Sequence, residues 1–287
     1  MPRTEDPRQL PEAPSLKTIL DTILADVREE VAAAKSATPL SEIRAMLADA
    51  PPTRDFAEAL SSQFCLIAEI KKRSPSVGPM REENVNEAAA AYSASPIVKA
   101  VSILTNQRHF GMSIHDLAAI RSTIPHPVLR KDFFVDEYQI HEARAYGADA
   151  ILLMANVLET SKLATFHALA LDLGMECLFE VHTLDEIATL PAKARVVGIN
   201  SRKFKSQTGF AGLAGSSEKD FSLELAAFEL VGHLPTGAIR VAESGITPAN
   251  LKSVAEKFEA ALVGTSLLRD PRGIRACLSD FESAIAH

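Results

Sequence analysis

Eight short apolar runs, each separated from the next by a stretch of helical periodicity, constrain this chain more than any other feature. They are Cys65–Lys71, Ala100–Thr105, Pro127–Phe133, Ala150–Ala155, Glu176–His182, Val196–Arg202, Arg240–Ile246 and Ala260–Ser266. Most are apolar at successive positions and not only at alternate ones, the pattern of strands buried on both faces. Amphipathic stretches lie between them, for example Glu137–Tyr146, Glu159–Leu173, Ser222–Val231 and Pro248–Phe258, and a last one covers Pro271–Ile285. Strands alternating with helices imply a parallel sheet covered by helices. Eight such units in about 225 residues predict one closed (β/α)8 TIM barrel, a fold of about 250 residues. The competing doubly wound open sheet is expected to carry a Gly-rich turn after an early strand, and no G-x-G-x-x-G occurs.

The first 64 residues have a different character. Pro2, Pro7, Pro11 and Pro14 break up residues 1–14, which read as a flexible tail. Ser15 is a candidate N-cap for a long amphipathic helix in which Ile19, Ile23, Val27 and Val31 recur every four residues. A shorter helix, Leu40–Leu47, stops before Pro51-Pro52. Residues 15–64 are therefore expected as a helical extension packed on a barrel domain of residues 65–287.

Several function classes are excluded early. The 30 Lys+Arg against 37 Asp+Glu give a net charge of −7, which argues against nucleic acid as a partner. The polar, Pro-rich N-terminus is no signal peptide, and no apolar run reaches the roughly 20 residues of a membrane span. Cys65, Cys177 and Cys277 are widely spaced without a CxxC pair, so buried thiols in a cytoplasmic protein are expected. The histidines show no metal-ligand spacing, and no metal is expected.

Polar residues at the C-terminal ends of barrel strands are functional candidates. The first run ends in Glu69, Lys71 and Ser74, the third in Lys131 and Asp132, the fifth in Glu180 and His182. The sixth ends in Asn200 and Arg202, the seventh in Glu243, Ser244 and Gly245, the eighth in Gly264 and Thr265. Residues two apart share a strand face, so Glu69 with Lys71, Lys131 with Phe133, and Asn200 with Arg202 point the same way. Asp132 is expected to pair with a basic neighbour, and His182 to be a satisfied strand-end histidine. The glycines after strands seven and eight let backbone N–H groups approach an oxyanion, where barrels bind phosphate.

The segments Glu69-Ile-Lys-Lys-Arg-Ser74-Pro-Ser-Val-Gly78, Pro127-Val-Leu-Arg-Lys131-Asp-Phe133 and Gln139-Ile-His-Glu-Ala-Arg-Ala-Tyr-Gly-Ala-Asp149, with Gly198-Ile-Asn-Ser-Arg202 and Glu243-Ser-Gly-Ile246, follow in order. From about Leu16 to Leu268 the chain resembles the indole-3-glycerol-phosphate synthases of tryptophan biosynthesis. The resemblance implies conversion of 1-(2-carboxyphenylamino)-1-deoxyribulose 5-phosphate into indole-3-glycerol phosphate with loss of CO2 and water, without metal or organic cofactor. It implies catalytic positions at Glu69, Lys71, Lys131, Glu180, Asn200 and Ser244. Ser74, Phe133, Arg202 and Leu262 then surround the substrate, and Gly245, Gly264 and Thr265 its phosphate. Other tryptophan-pathway enzymes are the candidate protein partners.

The residue types suit that chemistry. Attack of an aromatic carbon on a ketone needs a proton donor for the developing alkoxide, a task for an ammonium such as Lys131. Loss of water needs a base and an acid, as in Glu69 with Lys71 beside it. Arg202 and Lys71 offer charge to a carboxylate, and Phe133 a face to the aromatic ring. The chain departs from the family pattern at Lys203-Phe204 and the Gly- and Ser-rich Ser206–Asp220, at Met112 and at Thr265. Two other readings stand beside this one: a different phosphate-binding barrel enzyme, such as phosphoribosylanthranilate isomerase, and a catalytically silent paralogue that binds a phosphorylated ligand.

Overall fold

The computed structural model describes residues 18–202 and 225–286. Its barrel strands are β1 (Cys65–Ile70), β2 (Val98–Leu104), β3 (Val128–Lys131), β4 (Ala150–Met154), β5 (Glu176–Val181), β6 (Val196–Asn200), β7 (Ile239–Glu243) and β8 (Ala260–Val263). Each pairs in parallel with its sequence neighbour, and β8 returns to β1 through Cys65 opposite Ala260. The sheet closes into an eight-stranded barrel with helical segments between the strands, the (β/α)8 architecture expected. Closure leaves no barrel strand with an open edge among the described residues, and a separate two-stranded ribbon, Arg73–Ser74 with Gly78–Pro79, lies in the loop after β1.

Two apolar clusters explain why the runs are apolar on both faces. Leu66, Ala68 and Ile70 of β1 point outward and pack with Val101, Ile151, Phe179 and Val263 under the surrounding helices. Cys65 and Ile67 point inward, with Leu129, Leu152, Leu178, Val241 and Leu262, and fill the barrel. The layer rule makes the next inward position decisive. Four side chains from alternate strands build each layer, and the uppermost one on the odd strands consists of Glu69, Lys131, Glu180 and Glu243. The apolar core thus ends in a charged floor.

The N-terminal helix α1 spans Ile19–Ala37 and turns Ile23, Leu24, Val27 and Val31 onto the barrel. Fully burying an aliphatic side chain of this kind is worth about 1.5–3 kcal/mol, so this face anchors the extension firmly. The helix starts later than the Ser15 expectation: Thr18 caps it, accepting from the Asp21 N–H while Asp21 caps back. Only Thr18 has an acidic residue three positions on, which completes a capping box. Ser15, the tail of residues 1–14 and the stretch Ser206–Asp220 lie outside the described residues. Asp26 of α1 pairs with Arg108 and His109, and Glu30 accepts from Asn106 at 2.8 Å, so the helix is tied to the loop after β2. Further along, Arg54 donates its N–H to Asp149 and its side chain to the His126 carbonyl, closing the opposite end of the barrel.

Differences from the sequence reading concern element ends. The second strand begins at Val98, because Leu66 of β1 pairs there before the register shifts at Ile67. The described part of the Ser222–Val231 stretch, Leu225–His233, is a 3-10 helix. The helix expected over Pro248–Phe258 is confined to Leu251–Ala255.

Candidate active site

One cavity opens at the C-terminal ends of the strands, and every residue of the site set implied by the resemblance lines it, while His182 does not. Its centre is the Lys131 ammonium, which donates to Glu180 Oε2 at 3.1 Å and to Glu243 Oε2 at 3.2 Å. Lys131 comes from β3, Glu180 from β5 and Glu243 from β7, so no sequence spacing brings them together. A buried charge persists only when paired, and here one cation is shared by two carboxylates. Burial pushes both carboxyls up. For Glu180, the Lys131 and His182 charges, the Lys131 hydrogen bond and the nearby Asn200 amide outweigh it, and the group is held down at about 2. For Glu243, burial wins over Lys131 with help from the neighbouring Glu180 charge, and the group is pushed up to about 8. Burial works against the Lys131 ammonium, but Glu180, Glu243 and Glu69 hold its pKa above the ordinary lysine value. The pair of carboxylates therefore holds one proton over much of the neutral range and titrates as a unit.

The second charge pair lies across the floor. Lys71, just past β1, donates to Glu69 Oε1 at 2.5 Å with both side chains nearly buried. The Tyr92 hydroxyl donates to the Glu69 carbonyl at 3.0 Å and steadies the end of the strand. Arg202 reaches over the mouth to Ser76 Oγ at 2.5 Å, and Asn200 Oδ1 accepts the Arg202 backbone N–H. Ser76 in turn contacts Ser74 Oγ at 2.9 Å. These bonds join the loops after β1 and β6 over the cavity.

Two glycines make room for the acids. A Cβ on Gly198 of β6 would collide with Glu243 Oε1, and one on Gly264 would collide with Glu69 Oε1. Gly264, read from the sequence only as a phosphate contact, therefore also sets where Glu69 lies. Gly264→Ala is expected to displace Glu69 from Lys71 and lower kcat by about 10²-fold, with the thermal transition shifted little; steady-state kinetics beside a melting curve checks this. Ser244 and Gly245 both have positive φ, 69° and 70°. Both line the cavity beside Gly264 and Thr265, and successive turn residues of this kind can gather N–H groups into an anion-binding concavity. Holding non-glycine Ser244 there costs about 1–3 kcal/mol, and the Ser201 hydroxyl braces it by donating to the Ser244 carbonyl at 3.1 Å.

Asp132 pairs with a basic neighbour as expected. It accepts from Arg130 at 3.1 Å, from Thr105 Oγ1 at 2.6 Å and from the Phe133 N–H at 2.9 Å, and Arg130 also pairs with Glu142. This network fixes the chain on both sides of Lys131 and aims Phe133 into the cavity. His182 is satisfied on one side only, a point taken up below.

Glu243, Ile23 and Phe110 also line the cavity and are absent from the site set implied by the resemblance. The signal for Glu243 was its alternation with Val241, which puts both inside the barrel. Ile23 and Phe110 carried no such signal, because their positions depend on how α1 and the loop after β2 dock. The titration of Glu243 has a measurable consequence. A carboxyl with a raised folded value holds a proton in the folded state that the unfolded chain has lost, so stability falls as pH rises from the ordinary carboxylate range to about 8. Glu243→Gln is expected to flatten that decline in denaturant titrations between pH 5 and 9 and to be the more stable protein at pH 9.

Comparison with known proteins places the chain in a family. The family model "Indole-3-glycerol phosphate synthase" matches residues 20–276. The indole-3-glycerol phosphate synthase of Kineococcus radiotolerans is 38% identical over 94% of this chain and 97% of its own. That of Rhodococcus jostii is 39% identical over 94% and 97%. Among solved structures, the tryptophan synthase subunit alpha of Legionella pneumophila superposes with a TM-score of 0.54 at 15% identity, over 85% of this chain and 98% of that one, a likeness of fold alone. With a family model spanning most of the barrel and relatives matched nearly end to end, the chain belongs to the indole-3-glycerol phosphate synthase family, carboxy-lyases of tryptophan biosynthesis.

Proposed function

We propose that the charged floor of the barrel carries out the family's reaction through the residues named above, with Lys131 at its centre. The observation that carries this reading is the Lys131 ammonium between Glu180 and Glu243, beside the Glu69–Lys71 pair, in a cavity whose lining includes Gly245, Gly264 and Thr265. The substrate phosphate lies on Gly245, Gly264 and Thr265, with Ser244 beside them. Its anthranilate ring packs against Phe133 and Leu262, and its carboxylate faces Arg202 and Lys71. Ser74 and Asn200 hold hydroxyl or carbonyl oxygens of the chain between.

Lys131 then donates a proton to the ketone oxygen as the aromatic carbon attacks C2, and the shared proton of Glu180 and Glu243 replenishes it without leaving a bare charge in a dry site. Loss of CO2 restores the ring. Glu69 removes the ring proton and Lys71 protonates the departing hydroxyl, a division suited to groups 2.5 Å apart. The reading extends to a cytoplasmic setting, supported by three buried, unpaired thiols, and to other tryptophan-pathway enzymes as partners.

The test is purified protein with 1-(2-carboxyphenylamino)-1-deoxyribulose 5-phosphate and no added cofactor, followed by indole fluorescence. Appearance of indole-3-glycerol phosphate is expected. A folded protein that binds the substrate by calorimetry and yields no product would instead support the silent paralogue.

A further inference from the structure

Two buried polar atoms, one on Glu180 and one on His182, lack hydrogen-bond partners and lie close to one another. Glu180 uses Oε2 to accept from Lys131, while Oε1 is buried with no hydrogen bond; His182 Nε2 is likewise buried and unbonded, 3.5 Å away. The other ring nitrogen, Nδ1, lies 3.2 Å from Glu186 Oε2, which also accepts the His182 backbone N–H at 2.7 Å. Glu186 is thus tied to the imidazole and the backbone together, in the short helix Leu184–Ile187 capped by Thr183. The pattern is a carboxylate, an imidazole and a second carboxylate in line, ending on Lys131.

We propose that His182 is a positioning residue for the reaction: braced by Glu186, it holds the oxygen of Glu180 that Lys131 leaves free, and so fixes both the rotamer and the charge of Glu180. This rests on the roles given above to Lys131 and Glu180. A carboxylate gripped at one oxygen can swing, and its oxygen at Lys131 swings with it; gripped at both, it presents one geometry to the ammonium. Burial disfavours the imidazolium, yet the Glu186 hydrogen bond and the charges of Glu180, Glu186 and Glu243 raise its pKa above the ordinary histidine value. Lys131 is the cation facing the same carboxylates from β3. When protonated, His182 carries a donor on each ring nitrogen, with Nδ1 beside Glu186 and Nε2 directed at Glu180 Oε1 3.5 Å away.

The experiment compares His182→Leu, which keeps bulk and removes both donors, with His182→Gln, whose amide reaches toward Glu180 without titrating. Steady-state kinetics are measured from pH 5.5 to 9.5, with active sites counted by product binding and Lys131→Ala run in parallel. Loss of a hydrogen bond to a buried charge predicts a fall in kcat of about tenfold or more for His182→Leu, KM within about twofold, and an acid limb moved to higher pH because Glu180 loses a supporting charge. His182→Gln is expected to recover most of kcat. If His182→Leu lowers only the fraction of folded sites, with kcat per site and the pH profile unmoved, the inference is overturned. If Lys131→Ala retains turnover, the failure lies in the roles given to Lys131 and Glu180.

Discussion

Lys131→Ala is expected to lose about 10³-fold or more in kcat and to release no CO2 from the substrate in a single turnover. The magnitude follows from removing both the proton donor and the charge that meets the developing alkoxide, each worth about 10²-fold or more when positioned in a dry site. Loss of CO2 comes second because the carboxyl-bearing carbon becomes a good leaving position only after the ring has closed, so blocking closure blocks both. The fold survives the change, since Glu180 and Glu243 then face each other without a cation and retain a proton between them, as like charges at this distance do. Lys131→Met, which keeps the stem, separates lost chemistry from lost packing. Turnover of either variant within tenfold of the parent would show that another group supplies the proton.

Glu69→Gln gives the opposite partition. It binds the substrate within a few-fold of the parent and releases about one equivalent of CO2 per site, but forms indole product about 10²–10⁴-fold more slowly. An amide keeps the shape of the carboxyl and a hydrogen-bonding oxygen near Lys71, so the phosphate and ring contacts stand, while no base is left for the ring proton. Quenched-flow counting of CO2 against indole fluorescence separates the steps. Equal slowing of both would place Glu69 at ring closure and not at dehydration. The contrast between the two variants tests the assignment of roles more sharply than either alone.

Much of this site was legible before the structure because strand periodicity carries direction. Glu69 with Lys71 had to share a face, and the polar ends of the odd strands had to meet if the barrel closed. What periodicity lacks is distance across the barrel. The sharing of Lys131 by Glu180 and Glu243 is set by side chains from three strands, and the open half of His182 shows only once β5 and the following turn are in place. The two glycines illustrate the same limit: Gly198 and Gly264 leave space for acids that approach from β7 and β1.

The sequence by itself determined the barrel, since eight doubly buried strands separated by helical stretches have few other ways to bury their surfaces, and it determined which mouth gathers the polar strand ends. It also determined that any anion must be met locally, the chain being −7 overall. The tertiary structure alone decided which carboxyl keeps a proton. Glu180 and Glu243 are the same residue type at equivalent strand ends, and they part company because desolvation, the position of Lys131 and the presence of His182 beside only one of them are properties of three-dimensional surroundings.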